Sequence, residues 1–120
     1  MAMCEQGYLC QVCGQDVETI SQSDLYLRYV IGEVDPEVLH TTPERHLRCN
    51  PVLAQFIDHP QFDPPIVEGP FDRRGLDRDF ADRRAAWVTR GFARLVELEQ
   101  LGGEIDVTTY PLPEVLQRYR

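Results

Sequence analysis

The segments CQVCG (residues 10–14) and HLRC (residues 46–49) place the strongest constraint on the fold of this chain. The first contains two cysteines spaced by two residues, and the second contains a histidine and a cysteine with the same spacing. This spacing lets one tight turn direct two side chains at one ion, and zinc binds thiolate and imidazole ligands. The sequence therefore predicts one zinc site, with the ligands Cys10, Cys13, His46 and Cys49.

Gly14 supports the first pair, because the residue that closes such a turn often needs a positive φ angle. His40 is the main alternative to His46, and Cys4 is an alternative fourth ligand, but the spacing favours His46. The alternative to a metal site is that the first two cysteines are ordinary buried thiols. Four protein ligands leave no coordination position open, so the predicted role of the zinc ion is structural and not catalytic.

Length and charge limit the possible functions. A chain of 120 residues with a net charge of −8 forms one domain and repels polyanions, which argues against a nucleic-acid partner. The first 30 residues contain no long apolar run, so neither a signal peptide nor a membrane span is expected. We therefore expect a cytoplasmic protein, and in that compartment four cysteines indicate metal or redox chemistry more than disulfides.

A β-hairpin is predicted between the two ligand pairs. Residues 17–20 and 25–31 are rich in β-branched and aromatic side chains, and the turn formers at 21–24 separate them. A short helix over 26–30 is the alternative, because so brief an apolar run does not fix a periodicity.

A helix over residues 51–58 is predicted after the second ligand pair. Asn50 is a suitable N-cap, and Pro51 suits the first helical position. Four prolines and two glycines then mark residues 59–75 as an irregular connector. Three apolar side chains of this connector are expected to pack on the domain: Phe62, Ile66 and Phe71.

The longest predicted element is an amphipathic helix over residues 77–101, which ends at a pair of glycines. A short strand over 105–110 and a short helix over 114–119 complete the chain. The predicted organisation is a single domain with three parts: a zinc-binding half at 8–58, a connector at 59–75 and a helical half at 76–120.

The predicted order of ligand pair, hairpin, second ligand pair and helix resembles the treble-clef class of zinc-binding domains over about residues 8–58. The resemblance implies an α+β fold in which Cys10, Cys13, His46 and Cys49 occupy the four ligand positions. Treble clefs serve ribosomal, nuclease, ubiquitin-related and interaction roles, so the resemblance implies a scaffold without specifying its function.

Among these roles, we expect an accessory or regulatory module that binds another protein and is not an enzyme. One alternative is a nucleic-acid-acting protein, either a transcription or translation factor or a degenerate His-Asn-His nuclease using His40, Asn50 and His59. A second alternative is a redox-sensing zinc thiolate protein. Arg45 and Arg48 flank the second ligand pair and could donate hydrogen bonds to the metal centre.

Overall fold

The computed structural model describes residues 8–102 and 105–119. These residues form a compact, mostly helical structure with one antiparallel pair of two-residue strands, so the expected α+β fold with a treble-clef hairpin is not confirmed. Short 3-10 turns connect the elements. The strands and helices are β1 (Tyr8–Leu9), β2 (Asp16–Val17), α1 (Asp24–Val30), α2 (Pro51–Ala54), α3 (Arg78–Leu101) and α4 (Pro113–Gln117).

The β-hairpin prediction is wrong at its second strand, where the chain forms α1, in agreement with the alternative of a short helix over 26–30. Ser23 caps this helix, because its Oγ accepts a hydrogen bond from the backbone N–H of Tyr26. Arg28 pairs with Asp24 one turn earlier. The helix is buried around most of its circumference, which hides the amphipathic period and leaves a short apolar run that resembles a strand.

The long helix α3 forms as predicted. The carboxylate of Asp77 accepts from the backbone N–H of Phe80 at the start of the helix, and Gly102 ends it with a φ of 80°. Gly91 lies where α3 crosses α1, and a Cβ atom at this position would lie 2.4 Å from Cγ2 of Ile31. The two helices therefore approach each other too closely for any larger residue at the crossing.

Helix α2 is shorter than predicted and stops at Ala54. The chain then turns, and Asp58 donates its backbone N–H to Oγ1 of Thr89 on α3, at 2.8 Å. Asn50 occupies the N-cap position but makes no capping bond, since its amide donates to Asp24. A tertiary partner has thus replaced the local cap that the sequence predicts.

The predicted strand at 105–110 is also wrong, because Val107–Thr109 form a 3-10 turn. Carbonyl groups of this segment accept from side chains and not from a neighbouring strand: Tyr29 Oη donates to Val107 O at 2.9 Å, and Arg94 Nε donates to Tyr110 O at 2.9 Å. The last helix, α4, covers most of the predicted span 114–119 but begins one residue earlier, at Pro113.

The connector at 59–75 is largely irregular, with one 3-10 turn at Arg73–Gly75. Phe62 packs on the core as expected. Ile66 is 84% exposed and Phe71 is 61% exposed, so the prediction that they pack is wrong. The buried apolar core contains side chains from α1, α2, α3 and α4.

No helix in the described ranges combines the length and hydrophobicity that crossing a membrane requires.

Candidate metal centre

Four side chains with metal-ligating atoms converge at one point of the structure. The three sulfur atoms and one imidazole nitrogen of Cys10, Cys13, His46 and Cys49 all lie within 4.8 Å of one another. A tetrahedral zinc site with Zn–S bonds of about 2.3 Å separates its sulfur atoms by about 3.8 Å. The four side chains that sequence spacing selects are therefore close enough to hold one metal ion.

The first pair lies on a tight turn between β1 and β2. Gly14 donates its backbone N–H to Cys10 O at 2.9 Å, and Cys10 donates its own to Gln15 O at 2.8 Å. Gly14 has a φ of 77°, as the sequence predicts for the residue that closes this turn. Cys10 is thereby placed in the interior and Cys13 at the surface.

The second pair lies on a 3-10 turn, Leu47–Cys49, and backbone bonds hold it against the rest of the site. His46 pairs with Ser23 in an antiparallel bridge, and Cys49 donates its N–H to His46 O at 3.0 Å. Gln11 donates to Glu44 O at 3.0 Å, which joins the first turn to the strand-like segment before the second. Backbone hydrogen bonds therefore contribute to bringing the two pairs together.

The ring of His46 is oriented by the first turn. Its Nε2 lies 2.8 Å from the carbonyl oxygen of Asp16, which can only accept, so Nε2 carries the proton. Nδ1 faces the sulfur atoms, 3.3 Å from Cys13 Sγ and 4.0 Å from Cys49 Sγ, and in the neutral imidazole it is the nitrogen with a free lone pair. A metal-binding histidine is commonly held in this way, with one nitrogen bonded to a carbonyl and the other directed at the ion.

The two more buried thiols have opposite electrostatic environments. Burial raises the pKa of Cys10, but backbone N–H groups of Cys13, His46 and Val12 outweigh it and lower that pKa to about 6. Burial, followed by the neighbouring Cys10 and Cys13 thiols, raises the pKa of Cys49 to about 11. Three thiolates this close together would repel one another, so ionising all three at once is unfavourable. A divalent cation at their centre would compensate for this repulsion.

Asp24 connects the site to the helical core, and sequence reasoning missed it. Its carboxylate is fully buried and accepts from Arg28 Nε at 2.8 Å, from Arg45 Nε at 2.9 Å and from Asn50 Nδ2 at 2.8 Å. Its backbone N–H donates to Arg45 O at 2.8 Å. The only sequence signal for this role was Arg28, four residues later, and this spacing also fits an ordinary ion pair on an exposed helix face.

The side chains of the two flanking arginines contact groups other than the metal ligands. The guanidinium of Arg45 bonds Asp24, and that of Arg48 lies over the ring of Phe62, 5.1 Å from its centroid. The predicted hydrogen bonds from these side chains to the metal centre are therefore not found. Backbone amides supply the bonds to sulfur instead, since Val12 N and His46 N each lie 3.4 Å from Cys10 Sγ.

The alternative ligand His40 does not join the cluster. His40 lies on a separate 3-10 turn, Pro36–Thr41, and Cys4 lies outside the described residues. His59 accepts from Gln61 N through Nδ1 and packs against Phe92. Asn50 donates to Asp24, so two of the three residues of the nuclease hypothesis, Asn50 and His59, make structural contacts. The third, His40, lies on its own separate turn.

A cleft of about 520 Å³ opens beside the cluster. Cys13, His46 and Cys49 line one side of it, and Phe62 and Phe92 line another. Three of the four ligating side chains are therefore reachable from solvent, which spacing alone could not predict.

A scan against models of protein families, a search of curated proteins and a search of solved structures each found no match to this chain.

Proposed function

We propose that this protein binds one structural zinc ion through Cys10 Sγ, Cys13 Sγ, His46 Nδ1 and Cys49 Sγ. The observation that carries the proposal is the convergence of these atoms, all within 4.8 Å of one another, from two distant segments. Three thiolates and one imidazole form a closed tetrahedral set that suits zinc, whereas calcium and magnesium prefer oxygen ligands. The bond from His46 Nε2 to the Asp16 carbonyl leaves the neutral imidazole ready to bind the ion.

The zinc ion would hold the two turns together and so organise the N-terminal half of the fold. Structural zinc sites in small domains contribute about 10 kcal/mol of binding energy that is coupled to folding. In this proposal the treble-clef comparison is limited to its two ligand turns and the helix that follows the second one.

We further propose that the folded protein serves as an accessory or regulatory module that binds another protein. The arginines of α3 support this over a nucleic-acid role, because four of them pair with carboxylates: Arg78 with Asp82, Arg84 with Glu33, Arg90 with Glu114 and Arg94 with Glu97. Their positive charge is therefore neutralised locally, within a chain of net charge −8. Phe71 and Phe80 also leave apolar surface exposed, which suits contact with a protein.

Metal analysis of the purified protein tests the first proposal. We expect about one zinc ion per chain. Replacing zinc with cobalt should give the absorption of a tetrahedral site together with thiolate-to-cobalt charge-transfer bands. His46→Ala should weaken binding, and His40→Ala is the matched control that should not. Purified, folded protein without metal, or loss of the ion in the His40→Ala variant alone, would contradict the proposed ligand set.

A polynucleotide affinity column tests the second proposal, in which the partner is a protein and not a nucleic acid. We expect the zinc-loaded protein to pass through at low salt, where electrostatic binding to phosphates is strongest. Retention that weakens steeply as the salt concentration rises would favour the nucleic-acid alternative.

A further inference from the structure

The side chains of the metal centre differ in their exposure to solvent. Cys10 is only 2% exposed, Cys49 is half-buried and Cys13 is exposed. The cleft beside the site is lined by Cys13, Cys49 and His46, while Cys10 lies behind them. A small molecule that enters the cleft therefore meets the Cys13 side of the site.

Hydrogen bonding reinforces this difference in exposure. Cys10 Sγ accepts from the backbone N–H groups of Val12 and His46, both at 3.4 Å, and such bonds withdraw electron density from a thiolate. Within residues 8–102 and 105–119, no backbone amide donates to Cys13 Sγ. The Nδ1 atom of His46, which would bind the metal, lies 3.3 Å from Cys13 Sγ. Cys13 is thus the most accessible thiolate of the site, and in the described part of the chain neither Cys13 nor Cys49 accepts the amide hydrogen bonds that Cys10 accepts.

A second thiolate is available to complete a disulfide. The sulfur atoms of Cys10 and Cys49 both lie within 4.8 Å of Cys13 Sγ. Reactive cysteines that sense oxidants share these features: an accessible thiolate and a nearby thiol that resolves the first oxidation product.

We propose that Cys13 is the site at which a peroxide oxidises this metal centre and releases its zinc. This inference rests on the proposed zinc function. The Cys13 thiolate attacks one oxygen of hydrogen peroxide, the O–O bond breaks, and hydroxide departs. The Cys13 side chain is then a sulfenic acid. A neighbouring cluster thiolate then attacks the Cys13 sulfur, an S–S bond forms, and a second hydroxide leaves.

The stoichiometry of this reaction explains the release of the ion. Two thiolates lose two electrons in total, and one peroxide is reduced to two hydroxide ions. The zinc ion loses two anionic ligands and keeps one thiolate and one imidazole, which are too few to retain it in a structural site. The two turns would then separate from each other, so the protein would respond to peroxide by changing its N-terminal half.

Oxidation of the zinc-loaded Cys4→Ser protein tests the inference, since this substitution removes the one cysteine that is not a proposed ligand. Hydrogen peroxide is added at less than one equivalent, a chromogenic chelator reports free zinc, and peptide mass spectrometry identifies the disulfide. We expect zinc release to parallel formation of a disulfide that contains Cys13. A disulfide between Cys10 and Cys49, with Cys13 left reduced, would overturn the proposal.

Two matched variants give an independent measure of the rates. In the same background, Cys13→His and Cys49→His each leave two sulfur and two imidazole ligands. We expect Cys13→His to slow zinc release about ten-fold and Cys49→His to slow it by less than about three-fold. Equal effects of the two substitutions would count against a special role for Cys13.

Alkylation supplies a readout that does not depend on these variants retaining zinc. N-ethylmaleimide added to the zinc-loaded Cys4→Ser protein should label Cys13 before Cys10 or Cys49. Labelling of Cys10 first, or uniform labelling, in protein that contains zinc would overturn this inference alone. Absence of zinc from the purified protein would instead remove the proposed function on which it rests.

Discussion

In the helical core, α1 and α3 cross so closely that Leu27, Val30 and Val88 are completely buried. In and beside the first ligand turn, the apolar side chains of Val12 and Leu9 are 59% and 63% exposed. The core can therefore be stabilised by burial of apolar surface, at about 25 cal/mol for each Å². The turn buries little apolar surface, so its stability must come from backbone hydrogen bonds and from the ion that its cysteines would bind.

The two regions should therefore differ in their response to oxidants and chelators. Apolar packing in the core does not depend on redox state or on chelators. Metal coordination depends on both, because each thiolate must be reduced and deprotonated to bind the ion. Asp24 is the residue at which the two regions meet, since it accepts from Arg28 on α1 and from Arg45 beside the second turn.

The largest expected effect comes from breaking the metal centre. Cys49→Ser removes one thiolate and should abolish zinc binding, with a loss of about 10 kcal/mol of coupled folding energy. This exceeds what many domains of this size possess, so the cooperative thermal transition should disappear. Metal analysis and calorimetry measure the two outcomes, and Cys4→Ser is a control that should preserve both. An unchanged transition in zinc-free Cys49→Ser would show that the core folds independently of the ion.

A smaller effect is expected from crowding the core. In Gly91→Ala the new methyl group would lie 2.4 Å from Cγ2 of Ile31 and 2.9 Å from Cδ1 of Leu27, so the helices must move apart. We expect a loss of about 3 kcal/mol in the free energy of unfolding, with zinc still bound. Gly75→Ala is the matched control, because a Cβ atom there meets nothing within 4 Å. Equal denaturation midpoints for the two variants would contradict the close crossing.

Asp24→Asn tests the connection between the regions. The amide places a donor against the guanidinium groups of Arg28 and Arg45 and removes a buried charge that both of them need. These arginines are partly exposed, so we expect a moderate loss of about 2 kcal/mol in stability. The zinc affinity should fall in parallel, as measured by competition with a chelator.

Arg28→Gln is the control for this prediction, since it removes only the partner within α1 and leaves Arg45 in place. Its effect should be about 0.5 kcal/mol, with zinc affinity unchanged. If Asp24→Asn lowered stability without changing zinc affinity, the carboxylate would belong to the core alone.

The features that the sequence predicts correctly are those encoded by neighbouring residues. The ligand turns are predicted by the two-residue spacing of the ligands and by Gly14. Helix α3 is predicted by the long helical repeat of its apolar residues and by its capping residues. The missed features depend on contacts between distant residues. Helix α1 was predicted as a strand because it is buried nearly all round, and the site role of Asp24 depends on partners from three segments. The exposure of Ile66 could not be predicted because nothing in its own segment determines whether the core covers it.

The smallest expected effect concerns the ion pair between α3 and α4. Hydrogen bonding from Arg90 lowers the pKa of Glu114 to about 2, from an ordinary value of 4.5. A carboxyl pKa that is depressed in the folded state stabilises that state above the ordinary value, and this stabilisation is lost as the pH falls from 4.5 towards 2. Both side chains are about half exposed, so the contribution is small and screened by salt.

NMR titration of the Glu114 carboxyl carbon measures this pKa, from neutral pH down to the lowest pH at which α3 keeps its signals. In Arg90→Gln the pKa should return towards its ordinary range, whereas Arg78→Gln is a control on the same helix that should not move it. The zinc content at neutral pH should be the same in all three proteins, because this pair stabilises the packing of two helices that contribute no ligand to the metal centre. A change in zinc content on loss of this pair would mean that the two regions are coupled more widely than through Asp24.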